Sequence, residues 1–266
     1  MDIQEDFGKR KELSQLVVKH NRLIQKARFH LSSTQQKFLA YVISKIKPTD
    51  EELTEYEIRV EDFCSLAGID KTWFYSEFTK MIDDFDNNHS FWVDTEEEFY
   101  KFRWFADTRY MKGKGTIKIT LARSLKEYLI GLTENFTQYE LYNIMALKSK
   151  YAIRLFELFK SYQYQKIKEF GIDELKNLLY AENYDNFAHF KKRVLEPAIS
   201  EINEFTEIKV SYATISKGRK VVKVRFEITR KPAMETYISY KKTIAKIDED
   251  SGQIKGQIHI SDLLGV

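Results

Sequence analysis

The chain has 266 residues, 43% hydrophobic, 31% charged and 14% aromatic, with ten glycines, three prolines and one cysteine. At about 100 to 200 residues per domain, that is one large or two small cored domains, and it excludes a disulfide scaffold, a collagenous chain and a disordered one. The net charge of +3 is spread unevenly: residues 1–132 hold 21 Lys+Arg against 22 Asp+Glu, residues 133–232 hold 18 against 13, and residues 233–266 hold 4 against 5. No apolar run approaches the roughly 20 residues that a spanning helix needs. The charged start MDIQEDFGKRKEL is unlike a secretory signal, so a cytoplasmic, non-membrane protein is expected.

After a short VVKHN stretch, Ser32 or Ser33 caps a predicted helix whose apolar face is Phe38, Leu39, Val42, Ile43 and Ile46. Val60 to Ala67 has helical spacing and stops at Gly68, and Asp70 opens another helix carrying Phe74, Phe78, Met81, Ile82 and Phe85. From Phe91 to Leu121 the period falls to two around Lys112-Gly113-Lys114-Gly115, which predicts a β-meander. The order then recurs. Ala152 to Tyr162, Ile172 to Leu179 and Phe187 to Ile202 read as helices, and IKVSYATI, the turn SKGRK and VVKVRFEI read as a hairpin.

Two helices about a turn plus a β-hairpin is the plan of a winged helix, whose third helix enters the major groove while the hairpin touches the DNA backbone. The expected fold class is therefore α+β, with two tandem winged-helix domains. The first spans residues 1–132, serving dimerisation and DNA contact. The second spans residues 133–232 and is the principal reader of DNA. Residues 233–266 form a C-terminal tail expected to be flexible.

A recognition helix needs an apolar face for its own domain and a donor-rich face for DNA. With about 100° per residue from Phe187, the residues Phe190, Val194 and Ala198 cluster together. His189, Lys192, Arg193 and Glu196 fall opposite, Asn186 lies near the edge, and Lys191 sits beside the apolar face. Lys191 suits a phosphate, Arg193 a guanine read in bidentate fashion, and Glu196 a cytosine amino group. The hairpin tip Lys217, Gly218, Arg219 and Lys220 adds a second basic feature, which favours DNA over a merely solvated basic face. In the first domain the matching helix shows Thr72, Ser76, Thr79, Lys80 and Asp83 outward, and the hairpin tip offers Arg109, Tyr110, Lys112 and Lys114. Trp73 and Tyr75 suit either DNA or a neighbouring subunit.

No enzyme, metal or cofactor is expected. Neither Gly8-Lys9 nor Gly113-Lys114 completes a phosphate-binding loop, the five histidines (His20, His30, His89, His189, His259) are scattered, and Cys64 stands alone. The acidic runs Asp83, Asp84, Asp86 and Glu96, Glu97, Glu98 read as a solvated helix end and a loop.

Across about residues 17 to 230 the sequence resembles the replication initiator (Rep) proteins of theta-replicating, iteron-containing plasmids. The resemblance lies in VVKHNRLIQKARFHLSSTQQKFLAYVISKI, NFTQYEL, SKYAIRLFELFKSY, FKKRVLEPAISEIN and the wing KGRK. It implies a protein that binds repeated origin sites as a monomer, dimerises chiefly through its first domain, and as a dimer represses its own gene. It places the DNA-reading basic run on Lys191, Lys192 and Arg193 and the wing on Lys217, Arg219 and Lys220. Pro197 departs from the pattern and is expected to disturb the recognition helix. The tail from Ala233 to Val266 matches no family element, and its ISDLLGV end reads as a frayed terminus rather than a short hydrophobic peptide for a host replication protein.

The expected mechanism is that both domains bind successive major-groove faces about one helical turn, ~34 Å, apart, joined through Arg123 to Thr133. Bound copies would strain neighbouring A+T-rich DNA and recruit host replication initiation and helicase-loading proteins. Two alternatives remain: a DNA-binding transcriptional repressor without initiator activity, and a protein-interaction module acting through Trp73 and Tyr75.

Overall fold

The computed structural model describes residues 11–87, 91–94, 99–111 and 113–252. The first half runs β1 (Leu16–His20), α1 (Asn21–Gln25), β2 (Ala27–Arg28), α2 (Ser33–Ile43), β3 (Glu55–Arg59), α3 (Val60–Ala67), α4 (Lys71–Asn87), β4 (Phe91–Asp94), β5 (Phe99–Phe102), β6 (Phe105–Met111) and β7 (Thr116–Leu121). A 3₁₀ turn (Arg123–Leu125) and α5 (Lys126–Leu129) lead into β8 (Phe136–Glu140), α6 (Tyr142–Met145) and α7 (Lys150–Tyr162). The rest is β9 (Ile167–Gly171), α8 (Ile172–Leu178), α9 (Phe187–Phe190), a π turn (Lys191–Leu195), α10 (Glu196–Phe205), β10 (Ile208–Lys217), β11 (Lys220–Arg230) and α11 (Ala233–Asp250).

The winged-helix plan occurs twice in the order helix, strand, helix, helix, strand, strand. It is α2, β3, α3, α4, β6, β7 and then α7, β9, α8, α9 to α10, β10, β11. Both sheets place the last strand centrally, as β3-β7-β6 and β9-β11-β10. Local chemistry sets the boundaries. Ser32 and Gln35 cap α2 reciprocally in a capping box. Gly68 ends α3 at φ 64, a left-handed value that a residue without Cβ takes freely. The Asp70 carboxylate then accepts the Trp73 N–H at 2.8 Å to start α4.

The first strand of each wing sheet, β3 or β9, has five residues between longer elements, and the hydrophobic period did not reveal either. The meander expected over Phe91 to Leu121 is in fact two sheets. β4 and β5 join β2, with Ala27 opposite Val93, while β6 and β7 join β3, with Glu55 opposite Thr120. Alternation gives each strand its two faces and does not say which sheet it enters. The corner between the sheets is held by Trp104, which is buried and accepts the Ala122 N–H at 3.0 Å.

The expected boundary at residue 132 cuts through paired strands, since β1 and β8 are antiparallel with Leu16 opposite Glu140. The stretch expected to link the domains is packed, with Leu125, Tyr128 and Leu129 buried. Beneath β1 and β8, Lys19 and Tyr139 both reach the buried Glu157 of α7, and Arg154 donates to the Ala27 carbonyl at 2.7 Å. Burial alone would push the Glu157 carboxyl up, but Lys19, Tyr139 and Arg154 outweigh it and hold it below the ordinary value. The buried apolar residues of both winged helices form one continuous core.

The tail expected to be flexible also needs correction over its first part. Residues 233–250 form an 18-residue helix that packs on α6, α10 and α3. Its buried stripe is Ser239, Thr243 and Ile247, one residue every four. Two of these are small and polar, so the stripe did not read as apolar. Thr243 Oγ1 donates to the Phe205 carbonyl at 2.9 Å, and Ser239 Oγ accepts from Lys231 at 2.7 Å. Among the described residues no helix is long and apolar enough to cross a membrane. The ISDLLGV end, His89, Lys112, His259 and Glu96 to Glu98 lie outside them.

Candidate nucleic-acid interface

In the second winged helix, α9, the π turn and α10 run on as one recognition helix. Asn186 caps it, its side-chain oxygen accepting the Ala188 N–H at 2.7 Å, so this residue's acceptor is committed to the cap. Phe190, Val194, Leu195, Ala198, Ile199 and Ile202 are buried, while His189, Lys192, Arg193 and Glu196 are exposed. That is the face expected from the sequence.

The π turn is the local consequence of Pro197. Proline has no N–H to give to the Arg193 carbonyl, and its ring would crowd that oxygen in a regular α-helix. Widening the preceding turn makes the room, and the Glu196 N–H bonds to the Lys191 carbonyl five residues back.

The wing is a ribbon of ten and eleven residues closed by Gly218 and Arg219, with Lys217 opposite Lys220. Gly218 takes φ 63, the positive value required at the first central position of a primed hairpin turn. The third strand stops at Gly171, opposite Lys223, so the tip extends beyond it as two strands. Lys217, Arg219 and Lys220 are all exposed there.

The electrostatics separate the two domains. Among the described residues, Lys192, Arg193, Lys217, Arg219 and Lys220 form no ion pair, whereas Lys191 lies 3.4 Å from Glu196. Tyr212, on the wing strand β10, lies near this Lys191–Glu196 pair, and burial first of all raises its hydroxyl pKa. This tyrosine brings the wing beside the helix and was missed in the sequence because Lys191 and Glu196 lie about 20 positions away in a different element.

In the first winged helix, Thr72, Ser76, Thr79, Lys80 and Asp83 lie on the exposed face of α4 as expected. Ser76 Oγ is turned back onto the Trp73 carbonyl at 2.7 Å, Lys80 lies 3.8 Å from Glu77, and Arg109 pairs with Asp107 at 3.0 Å. Lys114 is exposed at the tip. Here most of the positive charge is neutralised locally. Trp73 is 49% exposed. Tyr75 is turned inward, its ring 6.1 Å from that of Tyr110 and its hydroxyl 2.7 Å from where a Cβ on Gly115 would lie. Tyr75, half-buried, therefore couples helix to wing.

The site offers cationic donors on a groove-sized helix and on a flanking ribbon. Among the described residues there is no group of three or more His, Cys, Asp or Glu placed to hold a metal ion.

Residues 16–160 match the family described as "Initiator Replication protein, WH1", and residues 171–228 match "Initiator Rep protein, WH2". The division between these matches falls between residues 160 and 171, not at residue 132. The PI protein of Escherichia coli is 33% identical over 143 residues, 47% of this chain and 46% of that protein, so the matched stretch spans about half of that relative. A replication initiation protein of Escherichia coli is 22% identical over 250 residues, 90% of this chain and 77% of that one. Among solved structures, the Pi initiator protein in complex with iteron DNA aligns with a TM-score of 0.69 at 21% identity. That alignment covers 82% of this chain and 98% of that one, and it shows the shared fold.

Proposed function

As the chain belongs to the initiator replication protein family, with both its WH1 and WH2 regions present, we propose that it starts plasmid replication by binding repeated origin sites, the iterons, sequence-specifically. In this reading a monomer lays its two recognition helices in successive major-groove faces of one site. The observation that carries the reading is the set of five unpaired cations, Lys192, Arg193, Lys217, Arg219 and Lys220, divided between the second recognition helix and its wing. Cations already held by carboxylates release fewer counterions, so the second domain supplies most of the affinity and the first contributes polar and backbone contacts.

Arg193 reads a base, while the wing lysines hold phosphates and set the register. Several bound copies strain an adjacent A+T-rich segment, and the binding energy of many sites opens it without a catalytic step, metal or cofactor from this chain. Host replication initiation and helicase-loading proteins are then recruited. A homodimer formed chiefly through the first domain is in equilibrium with the monomer and represses the chain's own gene. All of this takes place in the cytoplasm, where the plasmid resides.

The test is binding of the purified protein to double-stranded fragments of its own replicon, with and without excess random competitor, at two salt concentrations. Competitor-resistant, stepwise shifts on a repeat-containing fragment are expected. If Lys192, Lys217, Arg219 and Lys220 each meet one phosphate, the wing and helix together give a log-log salt slope of about −3.6. Binding that random DNA removes would overturn the reading.

A further inference from the structure

Each helix-turn-helix corner is held by the other domain. The corner ahead of the second recognition helix carries Tyr180, a non-glycine residue at φ 53. Arg28, on β2 of the first domain, lays its guanidinium 4.6 Å from the Tyr180 ring and 5.2 Å from the ring of Trp92, and pairs with Glu182 in the same corner. A left-handed tyrosine persists only where its surroundings over-determine it, and here those surroundings come from the opposite domain.

The corner ahead of the first recognition helix turns at Gly68. A Cβ there would lie 3.0 Å from Asp250 Cβ and 3.2 Å from the Ile247 carbonyl oxygen. Both residues belong to α11, whose earlier turns are rooted in the second winged helix through the Thr243 hydroxyl on the Phe205 carbonyl. Thus a guanidinium reaches across in one direction and a helix end in the other, and each lands on the turn that aims a recognition helix.

We propose that Arg28 and α11 are positioning elements that fix the distance and rotational phase between the two recognition helices, and so decide which spacing of half-sites the protein accepts. The inference rests on the two-headed DNA binding proposed above. On B-DNA one base pair adds about 3.4 Å of rise and about 35° of rotation. A rigid pair of heads therefore rejects a one-base-pair insertion, and a loosened pair tolerates it.

The experiment has a DNA-free arm and a DNA arm, both on the full chain. Nitroxide labels go on Asp83→Cys and Ser200→Cys, one on each recognition helix. Cys64 stays unlabelled because burial pushes its thiol up to about 12. Pulsed dipolar spectroscopy is expected to give a narrow distance distribution in the parent, at least twice as broad with Arg28→Ala or Ile247→Ala. Arg28→Lys keeps the corner charge but lacks the flat stacking face, and serves as a milder variant with the same direction.

In the DNA arm, unlabelled parent protein is expected to lose at least tenfold in affinity when one base pair is inserted between half-sites. The variants lose less than threefold on the same insertion and bind an isolated second-domain half-site within twofold of the parent. Unchanged widths with an unchanged spacing profile overturn the proposal and leave origin binding standing. A parent chain that binds DNA without regard to spacing overturns the two-headed reading itself, whatever the widths.

Discussion

Lys191 and Glu196 form an ion pair at 3.4 Å although they lie five positions apart. In a regular α-helix such residues point about 140° apart. The π turn that accommodates Pro197 brings them to one side, so a backbone adjustment to a proline decides which charges of the recognition helix are free for DNA.

Glu196→Gln should therefore release Lys191 to the phosphates. Affinity for random duplex is expected to rise several-fold, and the slope of log K against log salt to steepen by about one. Fluorescence anisotropy over a salt series reads both. An unchanged slope would mean that Lys191 does not reach the backbone.

Arg193→Ala and Lys220→Ala should differ in kind. The first is expected to cost about 1 to 3 kcal/mol on the cognate site and to relax preference at one base pair, with little change on random DNA. The second should weaken all sequences alike and lower the salt slope by about one. Equal losses on cognate and random DNA for Arg193→Ala would remove its base-reading role.

Lys19→Met removes the cation paired with the buried Glu157 and is expected to destabilise by about 3 to 5 kcal/mol in urea unfolding. Because Glu157 is held below the ordinary carboxylate pKa, its contribution is present above the unfolded-state value and is lost as pH falls through the folded one. The parent should thus lose stability on acidification more steeply than Lys19→Met does.

At the alkaline end, Lys231 donates to the Asn203 and Thr206 carbonyls and to Ser239 at 2.6 to 2.7 Å, yet burial pushes its ammonium down to about 8. Its folded-state value lies below the unfolded one, so between about pH 8 and about 10.4 the unfolded chain binds more protons and stability rises with pH. Lys37, also pushed down to about 8 by burial, acts in the same direction. Replacing Lys231 by Met should flatten that rise in unfolding curves taken across the window.

Periodicity and punctuation made much of the winged-helix plan legible. Ser32, Gly68 and Asp70 mark helix ends through hydrogen bonds that close within a few residues. The outward face of the second recognition helix follows from which positions are apolar. By contrast, β3 and β9 are short strands whose partners lie about 50 or more residues away, and α11 is buried along Ser239 and Thr243, which do not stand out as apolar.

By itself, then, the sequence determined two helix, helix and hairpin modules with basic side chains on the second helix and its wing, because those features depend on local spacing and composition. Tertiary structure alone decided the rest. Which cations remain unpaired depends on carboxylates brought near by folding, as with Arg225 of β11 and Glu169 of β9. The mutual seating of the domains depends on Arg28 meeting Tyr180 and Glu182, and Gly68 meeting α11. Those contacts join residues more than 150 positions apart, and no local period records a meeting at that distance.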